Sequence, residues 1–157
     1  MSATSAFAGI LRRELDGMQR LSAVLSEEFA ALSRGDADAL ERLMSGKSTV
    51  LAELQDAAAA RAKALQTAGV EASREAVENW LKTASGSDQG LKLWQDLMRL
   101  SGEAQGVHRA NQTLLEGLMR HNQQALDLLV RLANPDQVYQ ADGSTTASFG
   151  PRSRGQA

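Results

Sequence analysis

Residues 91–132 read LKLWQDLMRLSGEAQGVHRANQTLLEGLMRHNQQALDLLVRL. Positions 94, 97, 101, 104, 108, 111, 115, 118, 122, 125, 129 and 132 advance by strict steps of three and four, the spacing of a coiled-coil seam. A helix of this length runs to about 60 Å at a rise of about 1.5 Å per residue, longer than a compact domain of 157 residues needs. Pro135 stops it. The seam is unevenly filled. Trp94, Leu97, Ala104, Leu115, Leu118, Ala125, Leu129 and Leu132 suit it, whereas Ser101, His108, Asn111 and Asn122 are polar. Gly102, Gly106 and Gly117 each weaken the helix by up to about 1 kcal/mol relative to Ala. From Leu114 onward the apolar residues no longer fit one narrow stripe: Leu114, Leu115, Leu118, Met119, Leu126, Leu128, Leu129 and Val130 spread over more than one face. That surplus predicts a second contact surface, because soluble monomers seldom leave such a patch bare. Deeper burial in a bundle, or a seam between two copies of the chain, would also account for it.

Upstream, apolar residues at Leu11, Leu15, Met18, Leu21, Leu25, Phe29 and Leu32 mark one face of a helix over residues 5–33. Gly35 supplies its stop. Asp36 then reads as the N-cap of a second helix running to about Gln66, with Asp38 favourably placed in its first turn. Its stripe is Leu40, Leu43, Lys47, Val50, Leu51, Leu54, Ala58, Arg61 and Leu65. Lys47 and Arg61 lie in phase with the apolar positions, and the simplest expectation is that both snorkel, stems on the seam and charges in water. So short a link between the two helices favours an antiparallel hairpin. Ser73 caps a short third helix over residues 74–84 with Val77, Trp80 and Leu81 on one side, and residues 85–90 (SGSDQG) break the chain before the long helix.

Composition fits this picture. Apolar residues make up 43% of the chain but aromatics only 4%, so Ala, Leu and Met fill narrow seams between helices rather than a thick core. No proline precedes Pro135. The fold class is therefore all-α: an elongated antiparallel helical bundle or coiled coil with a long C-terminal helix. Residues 1–133 form one helical domain. Residues 134–157, rich in Gly, Ser, Thr, Gln and Pro, form a flexible tail.

Several function classes are disfavoured. Seventeen Lys and Arg against nineteen Asp and Glu give a net charge of -2, without the basic surplus that nucleic acid requires. There is no Cys, hence no disulfide framework or thiolate metal site. No run approaches the roughly 18 apolar residues of a membrane span, and the N-terminus lacks the order of a secretory signal. The expected location is the cytoplasm. His108 and His121 sit about 20 Å apart along one helix and cannot share a metal within the chain. Neither a phosphate loop nor a nucleophile elbow occurs, and Glu27 and Glu28, being adjacent on a helix, diverge. No catalytic residue, cofactor or metal is expected. What remains is a helical interaction protein: one with defined partners, or a structural coiled coil or amphipathic surface-coat protein without specific cargo.

Residues 21–54, LSAVLSEEFAALSRGDADALERLMSGKSTVLAEL, carry a more specific order. Glu28, Ala31, Leu32, Gly35, Asp36, Leu40, Leu43, Lys47, Val50, Leu51 and Leu54 fall at the steps that mark the FlgN family of flagellar export chaperones. Asn111, the Leu-rich run after it, and Tyr139 and Gly143 within VYQADG extend the likeness. Val138 departs mildly from it, where the family often has Leu. The chain thus resembles FlgN proteins over most of its length. The resemblance implies a cytosolic chaperone that holds the amphipathic C-terminal helices of the hook-filament junction proteins FlgK and FlgL. It also implies delivery of these subunits to the type III export gate, FlhA. Carried over, cargo binding falls on Leu114, Leu115, Leu118, Met119, Asn122, Ala125, Leu126, Leu129 and Val130, and gate docking on Tyr139 and Gly143.

Overall fold

A computed structural model describes residues 2–84 and 88–134. It contains four helices: α1 (Ala3–Arg34), α2 (Ala37–Ala68), α3 (Arg74–Thr83) and α4 (Asp88–Ala133). The all-α expectation holds. The chain divides into two units, Met1–Leu115 and Glu116–Ala157. The first holds α1, α2, α3 and most of α4. The described part of the second is the last stretch of α4.

The ends of the helices follow from local chemistry. Ser2 accepts from the Ser5 amide and opens α1. Gly35, at φ 64°, closes it. The Asp36 N–H donates to Ala31 O at 2.9 Å and the Gly35 N–H to Leu32 O at 3.1 Å, the paired bonds that satisfy the last carbonyls of a helix ended by a left-handed residue. Asp36 Oδ1 at once accepts from the Ala39 amide at 3.0 Å and starts α2. That bond, before all else, holds the Asp36 carboxyl below its ordinary value. One tight turn therefore ends one helix and begins the next, and α1 and α2 pack as the expected antiparallel hairpin. Gly69, at φ 68°, repeats the closure at the end of α2.

Close approach of α1 and α2 depends on Gly17. A Cβ there would stand 2.9 Å from Leu54 Cδ2, so the glycine is a packing residue as well as a weak helix former. α1 begins earlier than its apolar stripe suggests, and Phe7 and Ala8, outside the expected stripe, are buried. Phe7 meets Trp80 edge-on with ring centroids 5.1 Å apart. Together with Leu11, Leu65, Val77, Leu81, Trp94 and Leu97 it forms the main core. This core lies at one end of the hairpin, where the start of α1, the end of α2, α3 and the start of α4 converge. The break before α4 is shorter than expected: the helix starts at Asp88, and Gly90 is helical and buried, with a Cβ there only 3.2 Å from Leu81 Cδ2.

α4 runs parallel to α1. Trp94 and Leu97 pack with Phe7 and Leu11, and Asn111 reaches Leu25 and Glu28. Ala104 is buried between these two levels. Beyond Glu28, α1 has six residues left; beyond Asn111, α4 has twenty-two.

Candidate functional site

Two polar links tie the hairpin together, and they correct the snorkelling expectation for Lys47 and Arg61. Lys47 Nζ donates to Glu28 Oε2 at 2.8 Å. Arg61 Nε lies 3.1 Å from Glu14 Oε2, an ion pair by distance whose angle falls short of a hydrogen bond. The Arg61 guanidinium also covers the Trp94 ring, 5.5 Å from its centroid. Both cations point inward because each meets a carboxylate from α1. The sequence carried a signal for this. Glu14 and Glu28 are fourteen residues apart on α1, as are Lys47 and Arg61 on α2, so an antiparallel hairpin aligns both pairs in one register. Burial pushes the Glu14 carboxyl above its ordinary value, against the opposing pull of Arg61.

Glu28 is also where α4 is fastened. Asn111 is buried in the seam, and its Nδ2 donates to Leu25 O and to Glu28 Oε1, both at 3.0 Å. Both neighbours are acceptors, which fixes the orientation of the amide. A carboxylate from α1 thus receives one donor from α2 and one from α4. Three residues of the family-like pattern, Glu28, Lys47 and Asn111, meet in this contact. Of the other polar seam positions, Ser101 is half-buried, and His108 and Asn122 are exposed.

Asn111 is the last buried residue of α4. Of the positions expected to contact cargo, Leu114 and Leu118 are half-buried. Leu115, Met119, Asn122, Ala125, Leu126, Leu129 and Val130 are exposed, Met119 at 63% and Leu129 at 62%. Leu128 and Leu132 are exposed as well. All lie on one continuous helix, which presents a run of large aliphatic side chains to solvent. Tyr139 and Gly143, the expected docking residues, and the expected flexible tail from residue 135 onward lie outside the described residues. Among the described residues, no group of three or more His, Cys, Asp and Glu could hold a metal ion, and no helix is long and apolar enough to cross a membrane.

Comparison with solved structures finds a Pseudomonas aeruginosa protein described as a flagella synthesis protein FlgN. It superposes with a TM-score of 0.65 at 23% identity, over 73% of this chain and 88% of the other. At that identity the likeness establishes the shared helical fold. Comparison of the sequence with curated proteins gives no match. The model of the FlgN protein family matches residues 1–147, nearly the whole chain and all four helices. The chain therefore belongs to the FlgN family, whose members are flagellar chaperones.

Proposed function

We propose that this protein is a cytosolic flagellar export chaperone for the hook-filament junction proteins FlgK and FlgL. On this reading it holds their amphipathic C-terminal helices on the 114–130 face of α4 and delivers them to FlhA, with Tyr139 and Gly143 in the docking segment. The observation that carries the proposal is the run of exposed aliphatic residues from Leu115 to Leu132 in a chain of this family.

The physics suits the role. A secretion subunit with an unpaired amphipathic helix self-associates or is degraded. Laying that helix against another apolar helix shields it, with anchors at helical spacing. Release at the gate requires a modest interface rather than one of obligate size. A single helix face offers such a contact. Self-association through the same residues would compete with cargo, so free chaperone and loaded chaperone should differ in their tendency to pair.

Co-purification of the tagged chain with FlgK and FlgL from a flagellated host tests the reading. Retention of either subunit, lost on Leu118→Asp, is the expected result. If neither is retained and Leu118→Asp changes nothing, the chaperone reading fails. Tyr139→Ala should keep cargo and impair export; loss of cargo would instead move Tyr139 to the cargo site.

A further inference from the structure

Within residues 1–115, α1, α2 and α4 leave a groove of about 450 Å³ between them. Met18, Leu21, Leu25 and Leu51 supply its apolar surface, and Leu51 is 42% exposed although it lies in the middle of α2. Ser101, Gln105 and His108 line the α4 side. Two of these, Ser101 and His108, occupy seam positions on α4, so the seam here opens onto the groove instead of closing against α2.

The charges around this groove are asymmetric. Glu14 is buried and paired with Arg61. Glu28, behind Lys47, already receives both Lys47 and Asn111. Both carboxylates are the more deeply buried member of their pair, with the Glu14 and Glu28 side chains 7% and 16% exposed. Lys47 and Arg61 differ: their side chains remain 20% and 25% exposed. Lys47 engages Glu28 through one of its three N–H donors, and Arg61 meets Glu14 through Nε, leaving its two terminal NH2 groups without a partner among the described residues. An entering carboxylate finds free donors on the α2 side, about 21 Å apart at helical rise. An entering ammonium meets the same two cations, and the one carboxylate that lines the groove, Glu14, is buried.

We infer that this groove docks an acidic amphipathic helix of a partner protein, separately from the 114–130 face of α4. The apolar stripe of such a helix would lie on Met18, Leu21 and Leu51, and carboxylates about four turns apart would reach Lys47 and Arg61. A helix suits the shape, since the walls are themselves parallel and antiparallel helices and a further one fills the space between them. A second copy of the chain suits it less. The exposed end of α4 that it would offer carries Glu116 and Asp127 against Arg120 and Arg131, a balanced set without an acidic surplus.

The test is fluorescence anisotropy of the full chain with two labelled synthetic 22-residue helices. Both carry the same Leu stripe; one has Glu, the other Lys, at two positions fourteen residues apart. The Glu peptide should bind at least tenfold more tightly than the Lys peptide. Leu51→Asp should weaken the Glu peptide at least tenfold, and Gln105→Glu, on the exposed wall, severalfold, with helicity by circular dichroism unchanged. Leu126→Asp should leave this binding intact while abolishing retention of FlgK and FlgL, which separates the groove from the cargo face. Equal binding of the two peptides overturns the inference. So does binding that survives Leu51→Asp but is lost in Leu126→Asp. A dimer seen in sedimentation that Leu51→Asp splits overturns it in favour of self-association.

Discussion

α4 is one helix with two characters. From Asp88 to Asn111 it holds every residue it buries: Gly90, Trp94, Leu97, Ala104 and Asn111. From Gln112 to Ala133 it buries none, although this stretch is the richer in leucine. The apolar content of the two parts thus runs opposite to their burial. In the first, a few residues at the right spacing are covered by Phe7, Leu11 and Leu81, and the Asn111 amide nitrogen is accepted because Leu25 O and Glu28 Oε1 take its two donated bonds. In the second, the spacing continues, yet no residue is more than half-buried. Helical periodicity identifies which side of a helix is apolar. It does not say whether that side is covered, since the same spacing carries buried residues up to Asn111 and none after it.

If the first stretch of α4 is held by the core rather than by its own propensity, loosening the core should release it. Phe7→Ala removes a fully buried ring from the contact with Trp80 and should cost about 3–5 kcal/mol in urea unfolding. Hydrogen exchange should then show residues 91–111 losing protection while residues 116–133 exchange as before. Equal loss in both would break the comparison. Asn111→Ala probes the boundary itself. It deletes both donated bonds and leaves Glu28 Oε1 without its α4 partner, at a cost of about 2 kcal/mol. The loss of protection should begin at Asn111 and spread toward Ala104.

Much of this was legible in the chain. Gly35 and Asp36 announced the turn, Ser73 the third helix, and the three-four spacing the long fourth helix. Phe7 escaped because Ala6, Ala8 and Gly9 dilute the stripe around it, though its step of four to Leu11 was a usable signal. Lys47 and Arg61 escaped for a different reason. A cation in an apolar stripe has a ready explanation in snorkelling, and only aligning it with acids on the partner helix reveals the pairing. The extent of cover on α4 was not legible, because it is a property of two helices in register and not of either alone. The same limit applied to Gly17, whose neighbour Leu54 lies thirty-seven residues away in sequence.

Tight packing should also be confined to the bundle. Gly17→Ala drives a Cβ into Leu54 and should destabilise by about 1 kcal/mol. Gly46→Ala, on the same hairpin with nothing within 4 Å, should stabilise by about 0.5–1 kcal/mol. Thermal melts of the two variants should move in opposite directions. Glu14 gives a pH signature of the same packing. Its pKa is raised in the folded state, chiefly by burial, so between 4.5 and the folded value the native protein binds a proton that the unfolded chain has released. Stability therefore falls as pH rises through that window. In Glu14→Gln the fall contributed by this group should vanish, which urea midpoints measured across the window would reveal.

The smallest effect on stability is expected where the leucines are most abundant. Leu129→Asp places a charge on a side chain that is 62% exposed, with water available to solvate it. The unfolding free energy should change by no more than about 0.5 kcal/mol, the range of ordinary surface substitutions. The same change at Leu97, 1% exposed, would bury an unpaired carboxylate and should prevent stable folding. Leu129→Asp should nonetheless abolish retention of FlgK and FlgL, because a helix docked on that face would have to bury the new charge. Stability lost in parallel with retention would mean that Leu129 is covered within the protein itself, and the two parts of α4 would then differ in degree rather than in kind. Stability kept while retention is lost would assign the leucines of this stretch to a partner, and would explain why selection for binding can place them where folding has no use for them.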